Sequence, residues 1–300
     1  MNPLPQTDFP RVIDNTMRSD FVACPKKFWW RYCRNLGAES INVHLHAGGA
    51  FARAMEVTRR EFYSSNCNSE AAIARGLAAL LKYWGTYEPL IDTPKTLDRM
   101  AGALEYYFSV YPLELDGIKP VIGKDGAPAV EFNFILPLDI KHPQTGDPIL
   151  YSGRFDMLGQ RETGGMFVVD EKTTTQLGNS WLAKWRLRSQ FTGYCWGARQ
   201  YDYPVSGFIV RGISILKHSY GSLEYIGYRP QWHVDMWYTQ LLRDIKRMIQ
   251  QWNDNYFDYA LADACGEYGG CMFTPLCDSP NPELWTSTYP TKIWDPLKVF

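Results

Sequence analysis

Nowhere does the chain carry a run approaching the roughly 20 apolar residues that span a bilayer as a helix, so no membrane association is expected. Its opening, MNPLPQTDFPRVIDN, lacks the basic stretch and apolar core of a secretory signal. Histidine is scarce, with five residues, which leaves a small-molecule metalloenzyme without the His-rich site it would need. No Gly-rich phosphate loop of the G-x-x-x-x-G-K-S/T type is present, and nothing resembles a helicase motor. Internal repeats and low-complexity tracts are absent too. So is any excess of charge: 31 Lys and Arg face 32 Asp and Glu, for a net charge of −1. The total does not advertise a nucleic-acid binder, and any basic surface must be local.

What is present is ordinary for a soluble globular protein, 45% hydrophobic and 21% charged over 300 residues. That length exceeds the typical domain of about 100–150 residues, so one elaborated domain or two intimate ones are both open. Seven cysteines in a chain without an export pattern point to a reducing compartment, the cytoplasm. There, clustered cysteines more often bind metal than pair as disulfides.

Apolar and aromatic residues recur at helical spacing in RSDFVACPKKFWWRYCRN, GGAFARAMEVTRREFYSS, SEAAIARGLAALLKYWG and PKTLDRMAGALEYYFSVY. This predicts a helical region over residues 1–115, closed by the turn-rich DGIKPVIGKDGAP. AVEFNFILPLDI then alternates, HPQTGDP turns and ILYSGRFDMLG returns, a predicted hairpin. QRETGG leads into a third predicted strand, MFVVDEKTTT. SWLAKWRLRSQFTGYCWGARQY predicts one helix with Leu187, Phe191, Tyr194 and Ala198 on a single stripe. SGFIVRGISILKHS reads as a further strand and PQWHVDMWYTQLLRDIKRMIQQWNDNYF as a long last helix, ahead of a turn-rich tail. The order predicts an α/β fold, a mixed sheet flanked by helices around one core.

The third strand poses an electrostatic question, because Phe167, Val168 and Val169 run straight into Asp170, Glu171 and Lys172. Alternation puts Asp170 and Lys172 on one face and Glu171 on the other. If the preceding turn centres near Thr163, Asp156 of the second strand lies directly opposite Asp170; a slip of one residue would bring Glu171 there instead. Like charges opposite one another repel, and a bound divalent cation reverses that sign. Two carboxylates beside a lysine suit phosphodiester hydrolysis. The acids hold Mg²⁺ or Mn²⁺, which generates hydroxide and neutralises charge in the transition state, while the lysine orients water or stabilises developing negative charge. A surface ion pair at a strand end is the plain alternative.

Cys265, Cys271 and Cys277 cluster in ACGEYGGCMFTPLCD. Four thiolates usually hold an iron–sulfur cluster, so three leave a fourth to find. Zinc ordinarily uses a close C-x₂₋₄-C pair, which is absent, and unligated core cysteines are the other alternative. Cys33, Cys67 and Cys195 sit in apolar helical settings and read as small buried residues.

Taken in order, SGRFDML, FVVDEKTTT and RSQFTGYCWGAR resemble the RecB-like branch of the PD-(D/E)XK nuclease superfamily. That branch shows Gly-x-x-Asp on its second strand, Asp-x-Lys-Thr on its third and Gln-x-x-x-Tyr on a following helix. The matching positions are Gly153 and Asp156, then Asp170, Lys172 and Thr173, then Gln190 and Tyr194, the last pair being i,i+4 neighbours on one helix face. The resemblance implies a restriction-endonuclease-like core in a single domain over residues 1–300: a helical region (1–115), the core with its final helix (130–256) and a cysteine-bearing tail (257–300). It implies catalytic roles for Asp156, Asp170, Lys172, Gln190 and Tyr194. The family's upstream Gly-x-x-x-His-x-x-x-Glu helix is matched by Gly48 and Glu56 in GGAFARAME, but Ala52 stands where the histidine belongs, and His44 and His46 are out of register. Glu56 is thereby an implied metal-site acid with Asp156 and Asp170, or else an exposed helix glutamate.

CPKKFWWRY resembles the Cys-Pro-x-x-Phe-x-x-x-Tyr signature of the branch's iron–sulfur members, the CRISPR-associated RecB-like exonucleases and AddB-type nuclease domains. This implies a structural [4Fe-4S] cluster on Cys24, Cys265, Cys271 and Cys277, with Zn²⁺ as the lesser alternative; the C-terminal spacing is wider than the family's usual one. Lys184, Arg186 and Arg188 adjoin Gln190 and are the first choice for phosphate contacts. Lys26, Lys27 and Arg31, and Arg243, Lys246 and Arg247, are further basic groups, each equally a solvated face. With 11 Trp and 19 Tyr, most aromatic rings are expected in the core, and any left exposed can stack on unpaired bases. The expectation is a Mg²⁺- or Mn²⁺-dependent deoxyribonuclease, an exonuclease on single-stranded DNA or DNA ends, cytoplasmic (in a host's cytoplasm if phage-encoded), alone or within a recombination, phage or CRISPR-related assembly. The rival is a catalytically impaired nucleic-acid-binding module on the same scaffold, supported by the missing histidine and opposed by the intact Asp156, Asp170 and Lys172.

Overall fold

A computed structural model describes residues 7–38, 42–64, 67–123, 125–261, 263–266 and 270–297. The first six residues of the N-terminal stretch and residues 267–269 of the tail lie outside them. The predicted helical region holds α1 (Asn15–Ala23), α2 (Pro25–Phe28), α3 (Val43–Ser64), α4 (Ser69–Trp84) and α5 (Leu97–Val110), with a turn of π-helix at Trp29–Cys33. Three of these helices start where the sequence supplies a cap: the side chains of Asp14, Asn68 and Thr96 accept from the backbone N–H groups of Met17, Ala71 and Arg99. The strands are β1 (Val12–Ile13), β2 (Ile118–Pro120), β3 (Val130–Lys141), β4 (Pro148–Arg161), β5 (Met166–Thr174), β6 (Val205–Ile215) and β7 (Tyr220–Tyr228). The remaining helices are α6 (Asn179–Ala183), α7 (Ser189–Gln200), α8 (Gln231–Asn253) and α9 (Thr274–Cys277). Among the described residues no helix is long and apolar enough to cross a membrane.

The strands form one seven-stranded mixed sheet in the order β1-β4-β5-β6-β7, with β2 and β3 also paired to β4. β4 and β5 are antiparallel, β5 and β6 parallel, and β6 and β7 antiparallel. A parallel neighbour needs a crossover, and the chain supplies it with α6 and α7. The α/β mixed sheet flanked by helices is thus the observed fold class.

Contacts gather the chain into two compact units, each built from separate stretches. One contains Ile41–Phe134 and Arg154–Val234. In it, Phe191 of α7 stacks on Phe208 of β6 at 4.5 Å, while Arg59 of α3 and Tyr107 of α5 reach Glu171 on the opposite face of β5. Behind that second face lies a core of Phe51, Met55, Leu80, Trp84, Leu104 and Tyr107 with Ile213 and Ile215 of β6. The other unit contains Met1–Ser40, Ile135–Gly153 and Asp235–Val299. Its core places Phe28 between Phe21 and Phe257 and buries an ion pair, Arg18 Nε to Asp244 Oδ2 at 2.8 Å.

Three elements depart from the sequence expectation. The helix predicted over residues 180–201 is two, α6 and α7, joined by turns, and Leu187 lies 69% exposed, off the stripe that Phe191, Tyr194 and Ala198 keep. The break lets Trp181 sit on Gly212 of β6, where any Cβ would run into its ring, while Phe191 still reaches Phe208. The buried guanidinium of Arg229 donates to the freed carbonyl of Arg186 at 3.0 Å, so the interruption leaves a satisfied backbone. β7 was not anticipated at all. Residues 220–226 are uniformly half-buried, with Gly221 inside the run and Gly227 just after it, so the strand shows no alternation and is placed by pairing with β6. Likewise β2 lies within the segment expected to be turns.

Candidate active site

The β4–β5 register pairs Met157 with Val169, so the next positions outward are Asp156 and Asp170. There the backbone ladder gives way to a side chain: Asp156 Oδ2 accepts from the Glu171 N–H at 2.7 Å. Asp170 is 2% exposed. Its Oδ2 ion-pairs with the Lys172 ammonium yet makes no hydrogen bond of good geometry. Burial raises the Asp170 carboxyl above its ordinary range, with Lys172 drawing it partway back. Asp156 is raised well above that range, by burial first and then by Asp170, Glu171 and Glu131. For Lys172 burial works against the charge, but Asp170 and Asp156 outweigh it and raise the ammonium. Metal-free, the group is a set of carboxylates that resist sharing charge.

A further acid joins it that sequence reasoning missed. Glu131, at the head of β3, has a φ of +53°, a left-handed backbone uncommon outside glycine. It pairs with Arg154 at 3.0 Å. Its carboxyl is pushed up to about 7 by burial, against the pull of Arg154, with Glu56, Glu171 and Asp170 adding to the rise. The available signal was an acid on the strand neighbouring that of Asp156. Glu56 itself, on α3, is clamped by Arg53 at 2.5 Å and Arg60 at 3.1 Å.

Glu171 faces away from this group, as alternation requires. Arg59 holds it with two hydrogen bonds of 2.5 and 3.1 Å, and Tyr107 Oη donates at 2.9 Å. Burial alone would raise its carboxyl; the Arg59 charge and hydrogen bonds hold it at about 2. It anchors the strand from behind. Lys95, also missed, is 3% exposed and donates to Thr173 Oγ1 at 3.0 Å and to its carbonyl at 3.2 Å; burial lowers its amine to about 8.

On α7, Gln190 Nε2 donates to Tyr194 Oη at 2.8 Å, and the Tyr194 ring packs on Phe155 at 5.5 Å. Lys184 lies over the Trp185 ring at 4.5 Å. Burial lowers its amine, and Arg188 and Lys172 lower it further, so these three cations share one electrostatic neighbourhood. Arg186 and Arg188 are exposed. Lys26, Lys27 and Arg31 are not free for phosphate: Lys26 is buried, and the other two pair with Asp20 at 2.7 and 2.9 Å.

Cys24, Cys265, Cys271 and Cys277 line one cavity of about 350 Å³ together with Lys27 and Tyr259. Cys33 and Cys195 are buried, as expected, while Cys67 is half-buried in the link between α3 and α4. Among the described residues no three His, Cys, Asp or Glu side chains converge tightly enough to hold a metal ion alone. Mg²⁺ does not ask for that, since it keeps several waters and takes one or two carboxylates plus substrate phosphate. The raised carboxyls of Asp156 and Asp170 and the mutual repulsion of the acids fit such a cation. A tetrahedral zinc with bonds of about 2.3 Å would need thiolates about 3.8 Å apart, the tight grouping that is missing. A [4Fe-4S] cluster takes four cysteine ligands, and four cysteines line this cavity.

No curated protein sequence matches this chain. Among solved structures, a protein from Eubacterium rectale provisionally described as an exonuclease shares 11% identity over 86% of this chain and 88% of that one, with a TM-score of 0.49. SSO0001 shares 14% identity over 72% of this chain and 79% of that one, with a TM-score of 0.31. Likenesses of that degree carry no assignment of activity. A family model described as the PD-(D/E)XK nuclease superfamily matches residues 17–278. By that match, extending over most of its length, the chain belongs to the PD-(D/E)XK nuclease superfamily.

Proposed function

We propose that the protein is a metal-dependent deoxyribonuclease of the RecB-like, iron–sulfur branch, cutting single-stranded DNA or DNA ends as an exonuclease. One observation carries the reading: Asp156 and Asp170 stand on adjacent strands with raised carboxyls, and Lys172 is ion-paired with Asp170. Asp156 and Asp170 would hold Mg²⁺ or Mn²⁺, with Glu56 and Glu131 near the same charge. The bound cation supplies Lewis-acid charge to the phosphate and acidifies water. Lys172 keeps its proton against Asp170 and presents a cation where negative charge develops. Gln190 and Tyr194 position the strand being cut, and Lys184, Arg186 and Arg188 take its phosphates. Cys24, Cys265, Cys271 and Cys277 hold a [4Fe-4S] cluster that ties distant parts of the chain together, a crosslink that limits the unfolded ensemble.

The experiment is cleavage of end-labelled single- and double-stranded DNA with Mg²⁺ or Mn²⁺, products resolved by length. Short products from the outset, abolished by EDTA and in Asp170→Ala, are expected. Long internal fragments would make the enzyme an endonuclease. Tight binding with no cleavage under either metal would favour an impaired nucleic-acid-binding module, the reading that Ala52 and the double arginine clamp on Glu56 support.

A further inference from the structure

We propose that Arg59 is a positioning residue for the metal: from the far face of the sheet it fixes residue 171, whose backbone N–H sets the orientation of the Asp156 carboxylate. The inference rests on the metal-site reading above and adds a residue that reading does not use. Backbone pairing of β5 with β4 ends at Met157 and Val169, just before the acids. Among the described residues, Asp170 to Thr174 keep their ladder on the β6 side alone. On the β4 side the Glu171 N–H meets a side chain, Asp156 Oδ2, at 2.7 Å. One carboxylate oxygen of Asp156 is thereby tied to the backbone of residue 171. The direction in which the other oxygen is offered to a cation follows wherever that backbone sits.

Glu171 is held from behind by a closed set of hydrogen bonds. Arg59 Nη1 and Nη2 reach its two carboxylate oxygens at 3.1 and 2.5 Å, and Tyr107 Oη donates at 2.9 Å. Arg59 Nη2 also donates to Tyr107 Oη at 3.1 Å, which closes a triangle. The frame continues into β6, where Arg211 lies level with Glu171 in the parallel register. Arg211 donates to Tyr107 Oη at 3.2 Å and grips Asp116 at two points, 2.6 and 2.7 Å. Arg59, Tyr107, Glu171 and Arg211 are all buried. As a source of stability this is a poor choice, because a well-packed apolar pair of similar size does as well as a buried ion pair or better. What the guanidinium fork supplies and an apolar pair lacks is direction, since two parallel bonds fix the carboxylate in its plane. Groups one step behind a metal ligand orient it in this way.

The test uses the full chain as wild type, Arg59→Lys, the double replacement Arg59→Met with Glu171→Met, and Asp170→Ala. Mg²⁺ affinity is read by calorimetry, and melting temperature is measured without metal. Arg59→Lys leaves Glu171 a charge but not the fork. The double replacement removes both charges and should melt at or above wild type. Both should bind Mg²⁺ about tenfold more weakly. Wild-type Mg²⁺ affinity in a double variant that keeps its melting temperature overturns the role of Arg59. So does a loss of affinity that only tracks loss of melting temperature through the series, the mark of a merely structural pair. Should the double variant not fold, Tyr107→Phe, which takes one hydrogen bond from Glu171 and keeps the ring, must weaken Mg²⁺ binding in the same direction, and unchanged affinity there overturns the inference. A wild type that binds no Mg²⁺, or a chain that binds it equally well after Asp170→Ala, overturns the metal-site reading itself and the inference with it.

Discussion

Glu131→Gln removes a single ionisable carboxyl from the acidic group and keeps its size. In the folded protein that carboxyl is held at about 7, against 4.5 for an unhindered glutamate, by burial and, despite Arg154, by Glu56, Glu171 and Asp170. Each unit of displacement is worth ~1.4 kcal/mol, so keeping Glu131 ionised costs the metal-free fold about 3 kcal/mol. The side chain is only 10% exposed, so water screens little of this. The folded state binds the proton more tightly than the unfolded chain. The stability associated with the protonated form is therefore complete below pH 4.5, drains away as the pH rises to about 7, and changes no further above that. Glutamine cannot ionise, so the difference between the two proteins opens through that window. In urea unfolding with EDTA, the variant should match wild type near pH 4 and exceed it by up to about 3 kcal/mol at pH 8. Mg²⁺ should narrow the gap at pH 8, because it binds the ionised acids of the folded state alone. Stability curves that stay parallel from pH 4 to pH 8 would refute the placement of Glu131 among the acids.

Asp170→Ala and Lys172→Ala should each lower single-turnover DNA cleavage by at least about a hundredfold with an unchanged circular dichroism spectrum; near-wild-type rates in both would remove the proposed centre. Ala52→His should tighten Mn²⁺ binding more than Mg²⁺ binding, since an imidazole favours the transition metal; calorimetry with Asp170→Ala as control reads it, and unchanged Mn²⁺ affinity that still depends on Asp170 would place residue 52 away from the site. Lys184→Ala and Arg188→Ala should each reduce the slope of log affinity against log salt by about 1, whereas an unaltered slope would mean these groups touch no phosphate. Cys24→Ser should come off the column without iron and melt at lower temperature; retained iron at wild-type occupancy would exclude Cys24 as a ligand.

Short-range periodicity governed what could be read directly. The separation of Asp170 and Lys172 from Glu171 follows from strand alternation, and the Gln190–Tyr194 hydrogen bond of 2.8 Å follows from i,i+4 helix spacing. Both depend only on local backbone geometry, which the FVVDEK and RSQFTGY stretches specify themselves. The α/β class was legible for the same reason, through runs whose apolar period changes from helical to alternating.

Tertiary structure decided which distant groups share a charge environment. Glu131 enters the acidic group because β3 pairs with β4, and Glu171, on the far face, stays ionised in its burial because Arg59, 112 positions away, closes on its carboxylate. The split between α6 and α7 is settled by Trp181 seeking Gly212 of another strand, and β7, without alternation of its own, exists through hydrogen bonds to β6. The four cysteines could be grouped by resemblance to a signature, but the burial of Lys26 between Trp29, Trp30 and Tyr259 could not. Local sequence sets the direction in which a side chain points; burial and long-range pairing set the dielectric and the neighbours that fix its charge.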